Sequence, residues 1–237
     1  MTFPATIRPR IDRVYSTLRR AAGPASREIV IRHGIAPESM GLLGDVYFAA
    51  LARPITTAGI VAVTRYHDPA GVEASIAASV ADGLVDRDPS GTIILTRAGR
   101  DLLFEIQDTV GAATEALWPR STRTLERLTD VLGRLIVTGA TTGGAAFAAM
   151  APPYERAAAG RGVRFAGRLG AFRHHRADAH AAAWAAAGLT ATQMVALDDP
   201  MLRDQIEDDT NRRDAPVYRF LDAYDRDGFL AALDSLD

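Results

Sequence analysis

The chain of 237 residues has no cysteine and no lysine, and only 7% of it is aromatic. Without cysteine there are no disulfides, no thiolate metal ligands and no cysteine nucleophile, a pattern that fits a reducing cytoplasm. With lysine absent, all 27 basic side chains are arginine. Beside the abundant alanine and glycine, this fits a GC-rich coding sequence. No apolar run approaches the roughly 18 residues needed to cross a bilayer. The opening MTFPATIRPRIDRVYS lacks the apolar centre of a signal peptide, so a cytoplasmic location is expected. A net charge of −2 and a pI near 6.2 leave no global attraction to nucleic acid.

What is abundant is alanine, which favours helix. Apolar periodicity predicts helices over 11–21 and 25–33, separated by Gly23-Pro24, and over 40–51 and 57–66. Asp68-Pro69 is a cap followed by a first-turn proline, and Gly83 ends the helix it opens. Short strands are expected at 84–86 and 92–95 around the turn Asp88-Pro89-Ser90-Gly91. Long helices follow over 97–117, 121–138 and 165–187, with 145–150 forming a turn or two. The stretch 152–162, rich in proline and glycine, reads as a linker. Thr190 and Gln193 form a capping box. Helices at 201–212 and 225–236 complete the chain, with 216–221 extended or irregular.

Residues 67–96, HDPAGVEASIAASVADGLVDRDPSGTIILT, have the grammar of a winged helix: a capped helix, then a hairpin wing. The helix that would enter a DNA groove carries no arginine; from Ala70 to Asp86 its charges are Glu73, Asp82 and Asp86. Affinity for DNA comes largely from neutralising phosphates, and this surface repels them. The order of elements recurs: ITTAGIVAV followed by Asp-Pro in the first half, LTATQMVAL followed by Asp-Asp-Pro in the second. The expected architecture is mainly α with a small β-hairpin wing, a tandem winged-helix pseudo-dimer. Residues 1–150 would hold the N-terminal helices, the first unit and the long helices; residues 151–237 would hold a degenerate second unit. Its candidate reading helix is also acidic, with Asp198, Asp199, Asp204, Glu207, Asp208 and Asp209 against Arg203. Only Arg87, Arg97 and Arg100, flanking the wing, could touch a phosphate backbone.

The densest cluster of chemistry is Arg173-His174-His175-Arg176-Ala177-Asp178-Ala179-His180. At about 100° per residue, Phe165, Leu169, Phe172, Arg176, His180, Ala183 and Ala187 share one face. A guanidinium and an imidazole thus lie in an apolar stripe. The guanidinium needs a carboxylate or carbonyl partner, and Glu207 can supply one. Burial would hold His180 neutral near pH 7, as an acid/base group requires. We therefore expect His180, Arg176 and Glu207 as catalytic residues. Asn211, Trp184, Asp178, His175 and His67 are expected ligand contacts. The opposing interpretation is that Arg176 and His180 are satisfied core groups joining the two halves. His174 and Asp178 have metal-ligand spacing, but the adjacent arginines disfavour a cation, and no metal is expected. Trp118 and Trp184 could stack on a planar ligand, though aromatics at helical spacing usually serve the core. No phosphate loop, serine elbow or dinucleotide fingerprint occurs, and Thr141-Thr142-Gly143-Gly144 is too short a glycine cluster to count. No cofactor is expected.

Leu84-Val85-Asp86, the hairpin, and Leu95-Thr96-Arg97-Ala98-Gly99-Arg100 resemble the wing and following helix of MarR-type regulators. Arg173 to Ala191 (RHHRADAHAAAWAAAGLTA) and Ile206 to Tyr218 (IEDDTNRRDAPVY) are similar to the SalK-type, MarR-like winged-helix family of actinobacteria. The resemblance implies tandem winged-helix units over most of the chain, and regulation only by analogy. The chain departs from the MarR pattern in lacking basic readers on the recognition helix.

Two functions follow as expectations. In the first, a winged-helix scaffold has turned to binding a small molecule between its long helices, either as a binding protein or as a cofactor-independent enzyme of specialised metabolism. In the second, the chain is a ligand-responsive DNA-binding regulator relying on its wing arginines or on a homodimer. A monomeric pseudo-dimer and a homodimer both fit the sequence, as does an acidic module that meets a basic protein partner.

Overall fold

The computed structural model describes residues 2–35 and 37–236, with side chains described for all of these except 37–43. Helix accounts for 73% of it, with one two-stranded antiparallel hairpin. Among the described residues, no helix is long and apolar enough to cross a membrane.

α1 (Phe3–Arg32) is one continuous helix, where the sequence suggested two helices broken at Gly23-Pro24. An interior proline costs a helix about 3 kcal/mol, yet α1 runs through both Pro9 and Pro24. Its stripe of Ile7, Ile11, Val14, Leu18, Ala22, Ile29 and Val30 is buried along the whole length, and that burial outweighs the lost backbone bonds.

α2 (Pro37–Ala52), α3 (Thr57–Val63) and α4 (Pro69–Ala81) follow. Thr56 and Asp68 cap α3 and α4, each accepting from a backbone N–H. β1 (Val85–Arg87) pairs with β2 (Ile93–Leu95) in the register Val85 to Leu95. Ile55, between α2 and α3, adds a bridge on the outer side of β2: Ile55 and Ile93 exchange both backbone hydrogen bonds, at 3.0 and 2.9 Å. The turn is built on Asp88, whose carboxylate accepts from Ser90 N and Thr92 N.

α5 (Arg97–Leu117) is capped by Thr96, and α6 (Thr122–Gly139), α7 (Ala145–Met150) and α8 (Arg161–Ala186) follow. α8 is the central helix, packed on α5, α6, α7 and on α10 (Pro200–Asp214). It starts four residues before the apolar pattern suggested. At Gly111 and Gly162 the backbones of α5 and α8 approach so closely that a Cβ on Gly162 would strike the Gly111 carbonyl. α9 (Ala191–Val195) carries the expected Thr190–Gln193 capping box. The segment 216–221, expected to be extended or irregular, begins within a 3₁₀ turn (Ala215–Tyr218), and α11 (Ala223–Asp234) closes the chain against α1 and α6. The segment is helical because it places Val217 and Tyr218 inside the core. One hydrophobic cluster runs through both parts of the chain, from Ile7 through Phe147, Phe165 and Leu169 to Leu233.

Candidate functional site

α8 carries a polar network on one face and borders a cavity on the other. On the side facing α10, His175 and Asp214 are almost fully buried, each with a side chain 1% exposed, and Nδ1 lies 2.7 Å from Asp214 Oδ1. The ring is fixed by Phe172 stacked at 6.2 Å and Phe147 edge-on at 5.4 Å. Its Nε2 lies 2.8 Å from Thr142 Oγ1. The other carboxylate oxygen of Asp214 accepts from the Tyr218 hydroxyl and from Arg176 Nη1, both at 3.5 Å. Burial, followed by the charge of Asp214, pushes the Tyr218 phenol well above its usual range, so it remains a donor. Arg176 also donates to Asn211 Oδ1 at 3.0 Å and pairs with Glu207, which is approached from α1 by Arg8 at 3.7 Å.

One turn along α8, His180 Nδ1 lies 3.1 Å from Thr210 Oγ1. The His180 pKa is lowered: burial is the largest cause, partly opposed by Glu207 and assisted by Arg8, Arg176 and Arg65. Trp184 donates through its indole N–H to the Tyr66 hydroxyl at 3.0 Å. Asp178 pairs with Arg65 and accepts from the backbone of Ala146 and Phe147, at 3.2 and 2.8 Å, fastening α7 to α8. His67 is exposed, at the turn before α4.

The structure therefore gathers Arg176, Glu207, Asn211 and His175 into one network and sets His180 beside it. Trp184 and Asp178 are engaged with separate partners, and His67 stands apart. His174 and Asp178 also have separate partners, since His174 Nε2 faces Asp45 Oδ2 at 3.7 Å. Trp118 is buried against Phe165, its indole N–H donating to the Leu236 carbonyl at 2.9 Å. Sequence reading missed Asp214, although it follows Glu207 and Asn211 at helical spacing on α10; its place in the network was legible there.

The opposite face of α8 is different. Val163, Ala166, Gly167, Gly170 and Ala171 line a half-open cavity of about 310 Å³, walled by α1, α2, α5 and the 150–154 segment. That volume is at the lower end of the range for small-molecule sites, roughly 300–1,000 Å³. Tyr15, Phe48 and Tyr154 give it aromatic walls, and Arg19, Arg27, Asp45 and Gln107 give it polar groups. Gln107 Oε1 is buried and has no hydrogen-bond partner among the described residues. Burial alone would raise the Asp45 carboxyl. The hydrogen bond and charge of His174, with Arg19 and Arg173, outweigh it and hold Asp45 below the usual carboxylate range. Burial and then Asp45 raise the Tyr15 phenol. The signal for this cavity was the run of small residues along one face of α8.

A second groove, wider and more open, is bordered by Asp130, Arg134, Arg168 and Phe220. Its arginines are already engaged: Arg168 pairs with Glu155 at 2.6 Å, and Arg134 lies over the Phe220 ring at 4.5 Å. Among the described residues, no three histidine or acidic side chains converge on a metal-binding point.

Compared with protein-family models, with curated proteins and with solved structures, the chain matches none of them.

Proposed function

We propose that this chain is a winged-helix scaffold that binds a small organic molecule in the cavity between α1, α2, α5 and α8. The observation that carries this reading is Gln107 Oε1, unpartnered among the described residues, at the edge of a cavity with aromatic walls. An unmade buried hydrogen bond costs about 1–3 kcal/mol, and a bound donor relieves that cost. Gly167 and Gly170 support it. A Cβ would meet only Pro153 at 3.8 Å from the first and Tyr15 at 3.8 Å from the second, both ordinary contacts. Each glycine costs its helix about 0.5–1 kcal/mol relative to alanine, with no close packing to require it. Keeping the cavity open is what they achieve.

The winged-helix part of the proposal rests on the order α2, Ile55 bridge, α3, α4, hairpin, and on the resemblance to the SalK-type, MarR-like family. DNA binding is the weaker reading. The exposed face of α4 presents Glu73, Ala74, Ala77 and Val80, and Arg87 of the wing spends its charge on Glu73. Arg97 pairs at 3.8 Å with Asp101, and Arg100 turns to the Leu51 carbonyl. In this proposal Arg176, Glu207 and Asn211 serve chiefly to join α8, α10 and α1, because Asn211, Asp214 and Glu207 engage Arg176 Nη1 and Nη2, while its buried Nε has no hydrogen-bond partner among the described residues.

Anilinonaphthalene sulfonate, an amphipathic aromatic anion, tests the site. The folded wild-type protein is expected to bind it with enhanced fluorescence and to be stabilised by it. Gly170→Leu fills the cavity and should abolish both effects while leaving the helical circular dichroism intact. Undiminished binding by a folded Gly170→Leu protein would place the probe elsewhere and refute the assignment.

A further inference from the structure

We propose that Thr142, His175 and Asp214 form a nucleophilic relay that accepts acyl groups from carboxylic esters: a surface hydroxyl, a locked imidazole and a buried carboxylate in one hydrogen-bonded line. Thr142 Oγ1 lies 2.8 Å from His175 Nε2, and His175 Nδ1 lies 2.7 Å from Asp214 Oδ1. The direction of the protons follows from the chemistry of the groups. With the carboxylate ionised and the imidazole neutral, Asp214 can only accept, so Nδ1 carries its proton toward Asp214 and Nε2 presents a lone pair. Thr142 must then donate its hydroxyl proton to Nε2. That is the orientation in which an imidazole activates an alcohol.

The parts of the line differ in access. His175 and Asp214 are buried, whereas Thr142 is exposed, in the turn between α6 and α7. Among the described residues, Thr142 Oγ1 has no other hydrogen-bond partner. The residues after it are Gly143 and Gly144, so no side chain flanks the hydroxyl on that side of the chain. The imidazole is held by rings on two sides, and Gly139 makes room for it: a Cβ there would stand 3.3 Å from His175 Cδ2 and 2.8 Å from the Phe147 ring. Asp214 is held in turn by Tyr218 and Arg176. Preorganisation of this kind is what separates a nucleophile–base pair from an incidental hydrogen bond.

The step balances without a cofactor. Thr142 Oγ1 attacks the ester carbonyl carbon as its proton passes to His175 Nε2. The new C–O bond forms, the old ester C–O bond breaks, and the leaving alkoxide takes the proton from Nε2. Water then attacks the acyl-threonine, giving its proton to Nε2. Thr142 recovers that proton as the carboxylic acid departs. Asp214 touches no substrate; it is a positioning residue that sets the tautomer of His175.

The chain is well suited to the test, because it has no lysine or cysteine to react with an acyl donor. The full-length protein is incubated with p-nitrophenyl acetate, nitrophenolate release is followed, and the acetyl group is located by peptide mass spectrometry. The expected label is on Thr142. Thr142→Ser keeps the hydroxyl and should still be acetylated. Thr142→Val keeps the shape and loses the hydroxyl, and should be labelled about a hundredfold more slowly or not at all. Asp214→Asn can turn an N–H toward Nδ1 and reverse the tautomer; acetylation should slow about as much, with the circular dichroism unchanged. If Thr142→Val fails to fold, the position of the acetyl group in the wild type and in Thr142→Ser decides. No label, a label only on the N-terminal amine or a tyrosine, or equal rates in wild type and a folded Thr142→Val would each overturn the proposal.

Discussion

On the face of α8 toward α10, His175, Arg176, Asp214, Asn211 and Glu207 partner one another. On the face toward α1, α2 and α5, small side chains leave a cavity beside Gln107 and Asp45. The contrast follows from the helix partners. α10 brings carboxylates and an amide at helical spacing, which engage both terminal nitrogens of Arg176 and Nδ1 of His175 between the helices. α2 and α5 bring Asp45, Phe48 and Gln107 to a helix face that offers chiefly glycine and alanine, and among the described residues nothing there satisfies Gln107 Oε1. Buried polar groups that partner one another hold a fold together, whereas a buried acceptor beside an unfilled cavity is a place for something to bind.

The strongest way to break this comparison is Asp214→Ala. It strips His175 Nδ1 of its acceptor and leaves Arg176 short of a carboxylate in the interior. Removing one partner of a buried pair costs about 3–5 kcal/mol, and urea unfolding should show a loss of that size. A loss below about 1 kcal/mol would mean that the network is not what joins α8 to α10.

The cavity side should respond in the opposite direction. Gly167→Ala combined with Gly170→Ala should raise unfolding free energy by about 1–2 kcal/mol, through helix propensity and a less flexible unfolded chain. The same change should weaken anilinonaphthalene sulfonate binding. Stabilisation without weaker binding would separate the glycines from the site.

The smallest effect is expected at His180, at the edge of the network. Burial lowers its pKa below the ordinary 6.5, so the unfolded chain binds this proton more readily than the folded one. Its contribution to stability is complete above that pH and declines as the pH falls through 6.5 toward the lower folded value. Unfolding free energies at pH 7.5 and pH 5.5 should therefore differ more in the wild type than in His180→Gln. An equal pH dependence in both would show that His180 ionises alike in the folded and unfolded chain.

Much of the local structure was readable before any coordinates. Asp68-Pro69 announced α4, Asp88-Pro89-Ser90-Gly91 announced the hairpin, and Thr190 with Gln193 announced α9, because caps and turns are settled by atoms within a few residues. The convergence of Arg176, Glu207 and Asn211 was readable as well, since a buried guanidinium on α8 demanded an acid and α10 was rich in them. The continuity of α1 through Pro24 was not, because the local penalty was visible while the burial that overcomes it lay in other helices. Thr142 was passed over for a related reason: a Thr-Thr-Gly-Gly turn carries no chemistry until an imidazole stands beside it.

The order of residues by itself determined a mainly helical chain with one hairpin, the caps that open its helices, the acidity of α10 and the lack of any base along α4. These depend on intrinsic propensity, short-range hydrogen bonds and formal charge, which need no partner from far along the chain. Only the tertiary structure decided that α8 would carry a hydrogen-bonded network on one face and a cavity on the other, and that Thr142, His175 and Asp214 would line up. Those relations join residues dozens of positions apart. They depend on how closely the helices approach, which is set by packing of the whole core.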